Sequence, residues 1–171
     1  NMVDRFDLDG QSYFVEVAAN DGYLLQYVQQ LNIPCLGIEP THATAEAARQ
    51  KGIETIESFF GLSLSKKLEK ADLIVANNVL AHVPDINDFV AGLAYLLKPS
   101  GRVSIEFPHL LRLLAGNQFD TIYHEHYSYI SLSFLKNIFE KYGLKIYDVH
   151  KINTHGGSLR VFGCHNHCKA K

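Results

Sequence analysis

Apolar positions along this chain recur in two periods, and the places where the period changes mark its elements. Phe14 to Val17 is an apolar run that collapses into Ala18-Ala19-Asn20-Asp21-Gly22, which predicts a buried strand, a tight turn and a helix start. Tyr23, Leu24, Tyr27, Val28 and Leu31 follow at helical spacing until Asn32 and Pro34 end the helix. Cys35 to Glu39 reads as a second strand, Thr41 as the N-cap of an alanine-rich helix, and Lys51-Gly52 as its stop. Ile53 to Glu57 predicts a short third strand and Gly61 to Lys70 a short helix. Asp72 to Ala76 is apolar almost throughout, so both faces of that fourth strand need cover.

Pro84 and Asp85 open a helix through Phe89, Leu93, Leu96 and Leu97, closed by Lys98-Pro99-Ser100-Gly101. Arg102 to Phe107 is a fifth strand cut off by Pro108. A segment rich in His and Tyr leads to a helix over about Ser131 to Tyr142, which Gly143 breaks. Leu144 to Val149 and Ser158 to Cys164 are two closing strands. Strands alternating with helices argue for an open, mostly parallel α/β sheet covered on both faces. The short link His150 to Gly157 cannot hold a crossover helix, so the last two strands form an antiparallel hairpin. A seven-stranded sheet finished this way is the Rossmann-like fold of class I S-adenosylmethionine-dependent methyltransferases, not the dinucleotide-binding fold.

Composition narrows the partner. The 171 residues make one domain with a sizeable core, with residues 1–12 as a leader. Sixteen basic against 18 acidic residues, with no concentrated basic run, point away from nucleic acid and anionic membranes. No run approaches the roughly 18 apolar residues of a spanning helix, no signal peptide opens the chain, and three scattered cysteines fit a reducing compartment, so a cytoplasmic location is expected. If the last strand continues through Cys164-His165-Asn166-His167-Cys168, its alternation sends cysteines and histidines to opposite faces, and no metal site is expected.

The first turn lacks the G-x-G-x-x-G spacing that a pyrophosphate needs, whereas an adenosine ligand without phosphate needs less. Glu39, before Pro40, stands at close to the roughly 20-residue spacing at which a strand-end acid reaches ribose hydroxyls. Its carboxylate can accept two hydroxyls at once; the plainer alternative is a helix-capping acid. Glu16, costly inside a strand without a partner, together with Ala18, Asn20, Asp21, Gly22 and the amides near Asn77 and Asn78, would receive a cationic amino-acid end. Phe59 or Phe60 could stack an adenine, or could be core.

VEVAANDGYLLQY, LGIEP, ADLIVANNVLAHVPDINDFV, EFPHLLRLL, NQFDTIYHEHYSYIS and THGGSLRVF together resemble the sugar C-methyltransferases of nucleotide-activated deoxysugar pathways, over nearly all of Phe14 to Phe162. The NVLAHVPD stretch is specific for the fold, and YHEHYSY and THGGSLR for the family. The resemblance implies S-adenosyl-L-methionine as cofactor, a small-molecule nucleotide-sugar as substrate, and a parent with an N-terminal zinc-binding domain and a C-terminal substrate-binding domain flanking this one. It also implies His126 as the base for an α-proton, Tyr123 as donor to an enolate or orienter of the sugar, and Glu125 as a partner that fixes the imidazole tautomer or binds a hydroxyl. His124 and His82 read as supporting or packing residues, and Tyr127 and Tyr129 as wall or core. His155, in a turn that its glycines explain without function, and Arg160 are weaker substrate candidates. An O- or N-methyltransferase of the same fold and a non-catalytic nucleotide-binding domain are the alternatives.

Overall fold

The computed structural model describes residues 2–169. Strands β1 (Phe14–Val17), β2 (Cys35–Ile38), β3 (Thr55–Ile56), β4 (Ala71–Asn77), β5 (Leu97–Pro108), β6 (Leu144–Ile152) and β7 (Ser158–His165) form one seven-stranded sheet of order β3-β2-β1-β4-β5-β7-β6. The first five are parallel to one another. β7 enters antiparallel between β5 and β6, so the closing hairpin sits at the sheet edge as expected.

The period-2 alternation of the strands divides the core in two. Val15, Val17, Ile74 and Ala76 face a cluster with Phe89, Leu93 and Leu96 of α5 (Ile86–Leu96) and Leu135 and Phe139 of α7 (Leu132–Lys141). Phe14, Leu73 and Val75 face the other way, onto Leu25 and Val28 of α2 (Leu25–Gln30), Ala48 of α3 (His42–Gln50), and Ile53. Asp85 caps α5 by accepting from the Asn87 and Asp88 amides, and Ser131 caps α7 by accepting from Phe134.

Several elements depart from the expected ones. The helix read from Tyr23 to Leu31 is shorter, and Tyr23, Tyr27 and Leu31 lie exposed while Leu25 and Val28 are buried. Apolar residues surround that helix on more than one side, so spacing alone does not choose the buried stripe. The third strand shrinks to two residues, and the helix after it, α4 (Leu62–Ser65), to one turn. The strand expected at Arg102 begins at Leu97, with a register shift opposite Ala71 and Leu73. A helix absent from the sequence reading, α6 (Leu110–Ala115), follows Pro108. The stretch read as a leader holds α1 (Met2–Arg5) and is docked: Met2, Val3, Phe6 and Leu8 pack on the second cluster, and Arg5 pairs with Asp148 at 2.5 Å.

The chain crosses from β3 over β2 and β1 to β4, so the carboxyl ends of β1 and β4 lie side by side where the strand order reverses. Open parallel sheets leave a crevice at that point.

Candidate active site

The turn after β1 is built from unusual backbone. Ala18 (φ 58°), Asn20 (φ 53°) and Gly22 (φ 75°) all take left-handed conformations. For alanine that costs about 1–2 kcal/mol, and such strain persists only where the surroundings hold it, typically at a ligand clamp. The turn is tied to β2 by the Ala19 amide, which donates to the Ile38 carbonyl at 3.2 Å. Glycine suits position 22, where φ is positive and an added Cβ would come within 2.3 Å of Ile53 Cδ1 and 3.3 Å of Ala48 Cβ.

Glu39, just past β2, accepts from the Asn20 amide through Oε2 (3.0 Å) and from the Thr41 amide through Oε1 (2.9 Å). These two bonds fix the carboxylate plane and leave each oxygen a further acceptor site. Glu39 is 7% exposed and lines a cavity of about 490 Å³ whose other walls include Ala18, Ile38, Pro40, Phe59, Phe60, Asn78 and Phe89. Phe60 is locked edge-on against Phe89, with centroids 5.3 Å apart, whereas Phe59 is 81% exposed at the mouth. Phe59 is therefore the ring free to move onto a planar ligand. Asp21 points elsewhere: Lys51 grips its carboxylate at 2.7 Å and its carbonyl at 2.8 Å.

Three buried oxygens at this strand junction have no hydrogen-bond partner: Glu16 Oε2, Asn77 Oδ1 and Asn78 Oδ1. Burial pushes the Glu16 carboxyl up to about 8. Unpaired buried acceptors in one place are costly, and a cationic, donor-bearing ligand group would satisfy them. Asn78 lines the cavity directly; Glu16 and Asn77 are set back from its wall. A diol acceptor, an apolar slot for a flat ring and orphaned acceptors for an ammonium together fit S-adenosylmethionine.

A second, more polar cavity of about 530 Å³ shares Asn78 and His82 with the first and is further lined by Gln118, Asp120, Thr121, Tyr123, His126 and His155. His126 Nδ1 lies 2.8 Å from the Thr121 carbonyl oxygen, which can only accept. Nδ1 therefore carries a proton, so in the neutral ring Nε2 is the nitrogen with the lone pair. The ring lies between those of His82 (4.8 Å between centroids) and Tyr123 (4.3 Å). The Tyr127 amide, donating to the Ala81 carbonyl at 2.8 Å, fastens this otherwise irregular segment to the 3-10 turn Leu80–His82.

Tyr123 and His126 thus share a cavity with His155, whereas His124 and Glu125 are exposed and line neither cavity. The tautomer-fixing contact expected of Glu125 comes from the Thr121 carbonyl instead, because the chain reverses between the two residues and brings backbone to the imidazole. Arg160 is occupied by Glu106 at 2.6 Å, and Thr154 donates to the same carboxylate at 3.2 Å, so this pair ties the hairpin to β5 rather than facing the cavity. His82, expected as a supporting or packing residue, lines both cavities, and Gln118, Asp120 and Thr121 line the polar one without having been singled out in the sequence. Only His82 carried a local signal, since it follows the β4 end by one turn.

Residues 3–149 match the family described as Methyltransferase domain. The chain is 38% identical over 164 residues to the C-methyltransferase NovU of Streptomyces niveus, an alignment covering 94% of this chain and 39% of that protein. Among solved structures it is similar to magnesium protoporphyrin IX methyltransferase from Synechocystis PCC 6803 with bound SAH (TM-score 0.76, 17% identity, 96% of this chain and 78% of that one). It is also similar to the complex between the Haloferax volcanii Trm112 methyltransferase activator and the putative methyltransferase (TM-score 0.76, 14% identity, 96% and 87%). The fold is that of class I methyltransferases. The chain belongs to the methyltransferase domain family, and it spans about two-fifths of the length of the curated relative it matches.

Proposed function

We propose that the protein transfers a methyl group from S-adenosylmethionine to a carbon beside the keto group of a nucleotide-activated deoxysugar. The observation that carries this reading is the junction of the two cavities at Asn78 and His82, with His126 lining one of them and held by its Nδ1 on the Thr121 carbonyl, which leaves Nε2 as the basic nitrogen of the neutral ring. The name of the 38% identical relative supports carbon as the acceptor. The sugar itself rests on the resemblance of the YHEHYSY and THGGSLR stretches.

S-adenosylmethionine, when bound, supplies a methyl group on a cationic sulfur. Glu39 would hold its ribose hydroxyls, the apolar slot its adenine, and Asn78 its amino-acid end. In the neighbouring cavity, His126 Nε2 takes the α-proton of the ketone. Tyr123, its ring tilted against the same imidazole, donates to the developing enolate oxygen, and Asp120 meets sugar hydroxyls. Holding donor and acceptor in two cavities that meet at Asn78 and His82 converts the transfer into an effectively intramolecular event. The flanking zinc-binding and substrate-binding domains implied by the resemblance complete the proposed parent.

General-base assistance supplies about 10²- to 10⁴-fold in rate. In the full-length enzyme, His126→Asn should lower kcat by that order while leaving affinity for S-adenosylhomocysteine nearly unchanged, and His124→Ala should do much less. The sharper measurement is deuterium exchange at the substrate α-carbon without methyl transfer. Near-normal exchange in the His126 variant, or methylation of a hydroxyl or amine with no exchange at carbon, would overturn the reading.

A further inference from the structure

The segment that carries His126 is tied to the rest of the molecule at few points. From Gly116 to His126, every hydrogen bond but one among the described residues stays inside the segment or reaches back to α6. The exception belongs to Gln118, whose Nε2 donates to the Gly156 carbonyl at 2.8 Å, 38 residues further along the chain. A carbonyl oxygen only accepts, so the nitrogen of the side-chain amide is the atom that meets it. Two glycines leave room for that amide. A Cβ at Gly156 would come within 2.6 Å of both Gln118 Nε2 and Oε1, and one at Gly116 within 3.0 Å of Nε2 and 3.1 Å of the Arg112 carbonyl. Gly116 has φ −96°, open to any residue, so a side chain there is opposed by space and not by backbone.

The turn that supplies the acceptor is pinned independently. Thr154 Oγ1 donates to the buried Glu106 at 3.2 Å, the Ser158 hydroxyl and the Gly157 amide donate to the Thr154 carbonyl at 3.2 and 2.9 Å, and the His109 amide donates to the Gly157 carbonyl at 3.0 Å. These bonds hold three successive positive φ angles, at His155 (51°), Gly156 (72°) and Gly157 (118°). From Gln118 the hold passes to the imidazole in two steps. The Gln118 carbonyl accepts from Thr121 Oγ1 at 2.8 Å and from the Thr121 amide at 3.2 Å, and the Thr121 carbonyl accepts from His126 Nδ1 at 2.8 Å. Gly156, Gln118, Thr121 and His126 all line the polar cavity, so the path runs along its wall.

We propose that Gln118 is the positioning residue for His126: its amide clasps the loop to the Gly156 turn and so keeps the Thr121 carbonyl where it holds the imidazole. The proposal rests on the reading of His126 as the base of a carbon methylation and adds the group that places it. A reacting group displaced by about 1 Å can lose on the order of 10²-fold in rate, and a loop with a single outside hydrogen bond before its base concentrates the positioning in that bond. Past His126 the next tie is the Tyr127 amide on the Ala81 carbonyl, which holds the far end of the loop.

Three measurements on the full-length enzyme test this: steady-state methylation of a nucleotide-linked keto-sugar, deuterium exchange at its α-carbon, and the nitrogen NMR signals of the His126 ring with S-adenosylhomocysteine bound and no substrate. Gln118→Met keeps the length of the side chain and removes the donor. It should lower kcat and exchange by roughly 10-fold and move the His126 signals away from the Nδ1–H tautomer, with S-adenosylhomocysteine affinity and Tm nearly unchanged. Gly116→Ala should cost several-fold in the wild type and much less in a Gln118→Ala background, where the amide it presses on is gone. If the wild type methylates the keto-sugar and Gln118→Met keeps wild-type kcat, exchange and His126 signals, the clasp is overturned and the function stands. A loss of S-adenosylhomocysteine affinity and Tm in step with kcat would make Gln118 a structural residue and overturn the proposal as well. If the wild type acts on no keto-sugar nucleotide yet Gln118→Met moves the His126 signals as expected, the substrate reading falls and the clasp stands.

Discussion

Two glutamates at neighbouring strand ends are treated in opposite ways. Glu39 has a backbone donor on each oxygen, whereas Glu16 Oε2 has none and its carboxyl is pushed up to about 8 by burial, from 4.5. A raised folded pKa favours the neutral acid, so its contribution to stability is complete below pH 4.5 and is lost as pH rises through 8. The shift corresponds to a few kcal/mol, on the order of 1.4 per unit. Glu16→Gln, neutral throughout, should therefore melt progressively higher than the unliganded wild type as pH is raised from 5 to 8. Paired thermal melts across that range check it, and parallel pH profiles would contradict it. A ligand ammonium near the carboxylate would reverse the preference, so cofactor binding near neutral pH should release protons. Calorimetry in buffers of different ionisation enthalpy reads that release.

At the scale of elements, the turn after β1 is the clearest case of local sequence making a site. Gly22→Ala combines a disfavoured φ of 75° with a Cβ pressed to 2.3 Å from Ile53 Cδ1. It should destabilise the fold by about 1–3 kcal/mol and loosen the Asn20 amide from Glu39. Denaturant titration together with cofactor affinity measures both effects, and an unchanged midpoint would contradict it. This turn, β4, and the capped helix from Asp85 were legible because strand period, small residues and capping side chains are encoded within a few positions. The stripe of α2 was not, because apolar residues ring the helix and only α3 and the sheet decide which of them is covered. The irregular stretch around His126 was legible as chemistry and illegible as geometry. Its shape depends on carbonyls at Ala81 and Thr121, and backbone groups leave no trace in side-chain pattern. α6 escaped because six residues with none buried show no usable period.

On the scale of the whole molecule, the two cavities differ in how much of their enclosure this chain provides. The cofactor-type cavity is walled by residues between Val17 and Phe89, on β1, β2, α5 and the loops that follow β1, β2, β3 and β4. The loop that lines the polar cavity through Gln118, Asp120, Thr121 and Tyr123 also exposes Phe119 and Ile122, and α6, just before it in the chain, exposes Leu111 and Leu114. Exposed apolar side chains grouped along one segment are a place where further protein packs, and the proposed flanking domains would supply it. The 171-residue chain should then bind S-adenosylhomocysteine within about 3-fold of the affinity of a full-length parent, since every contact argued for that ligand lies inside it. Its KM for a nucleotide-sugar should be at least roughly 10-fold higher, because weak uniform binding raises KM before it touches kcat. Side-by-side calorimetry and steady-state kinetics on the two lengths separate these quantities. Equal kcat/KM would show that flanking domains add nothing to substrate binding, and a large loss of S-adenosylhomocysteine affinity in the short chain would show that the cofactor cavity is not self-contained.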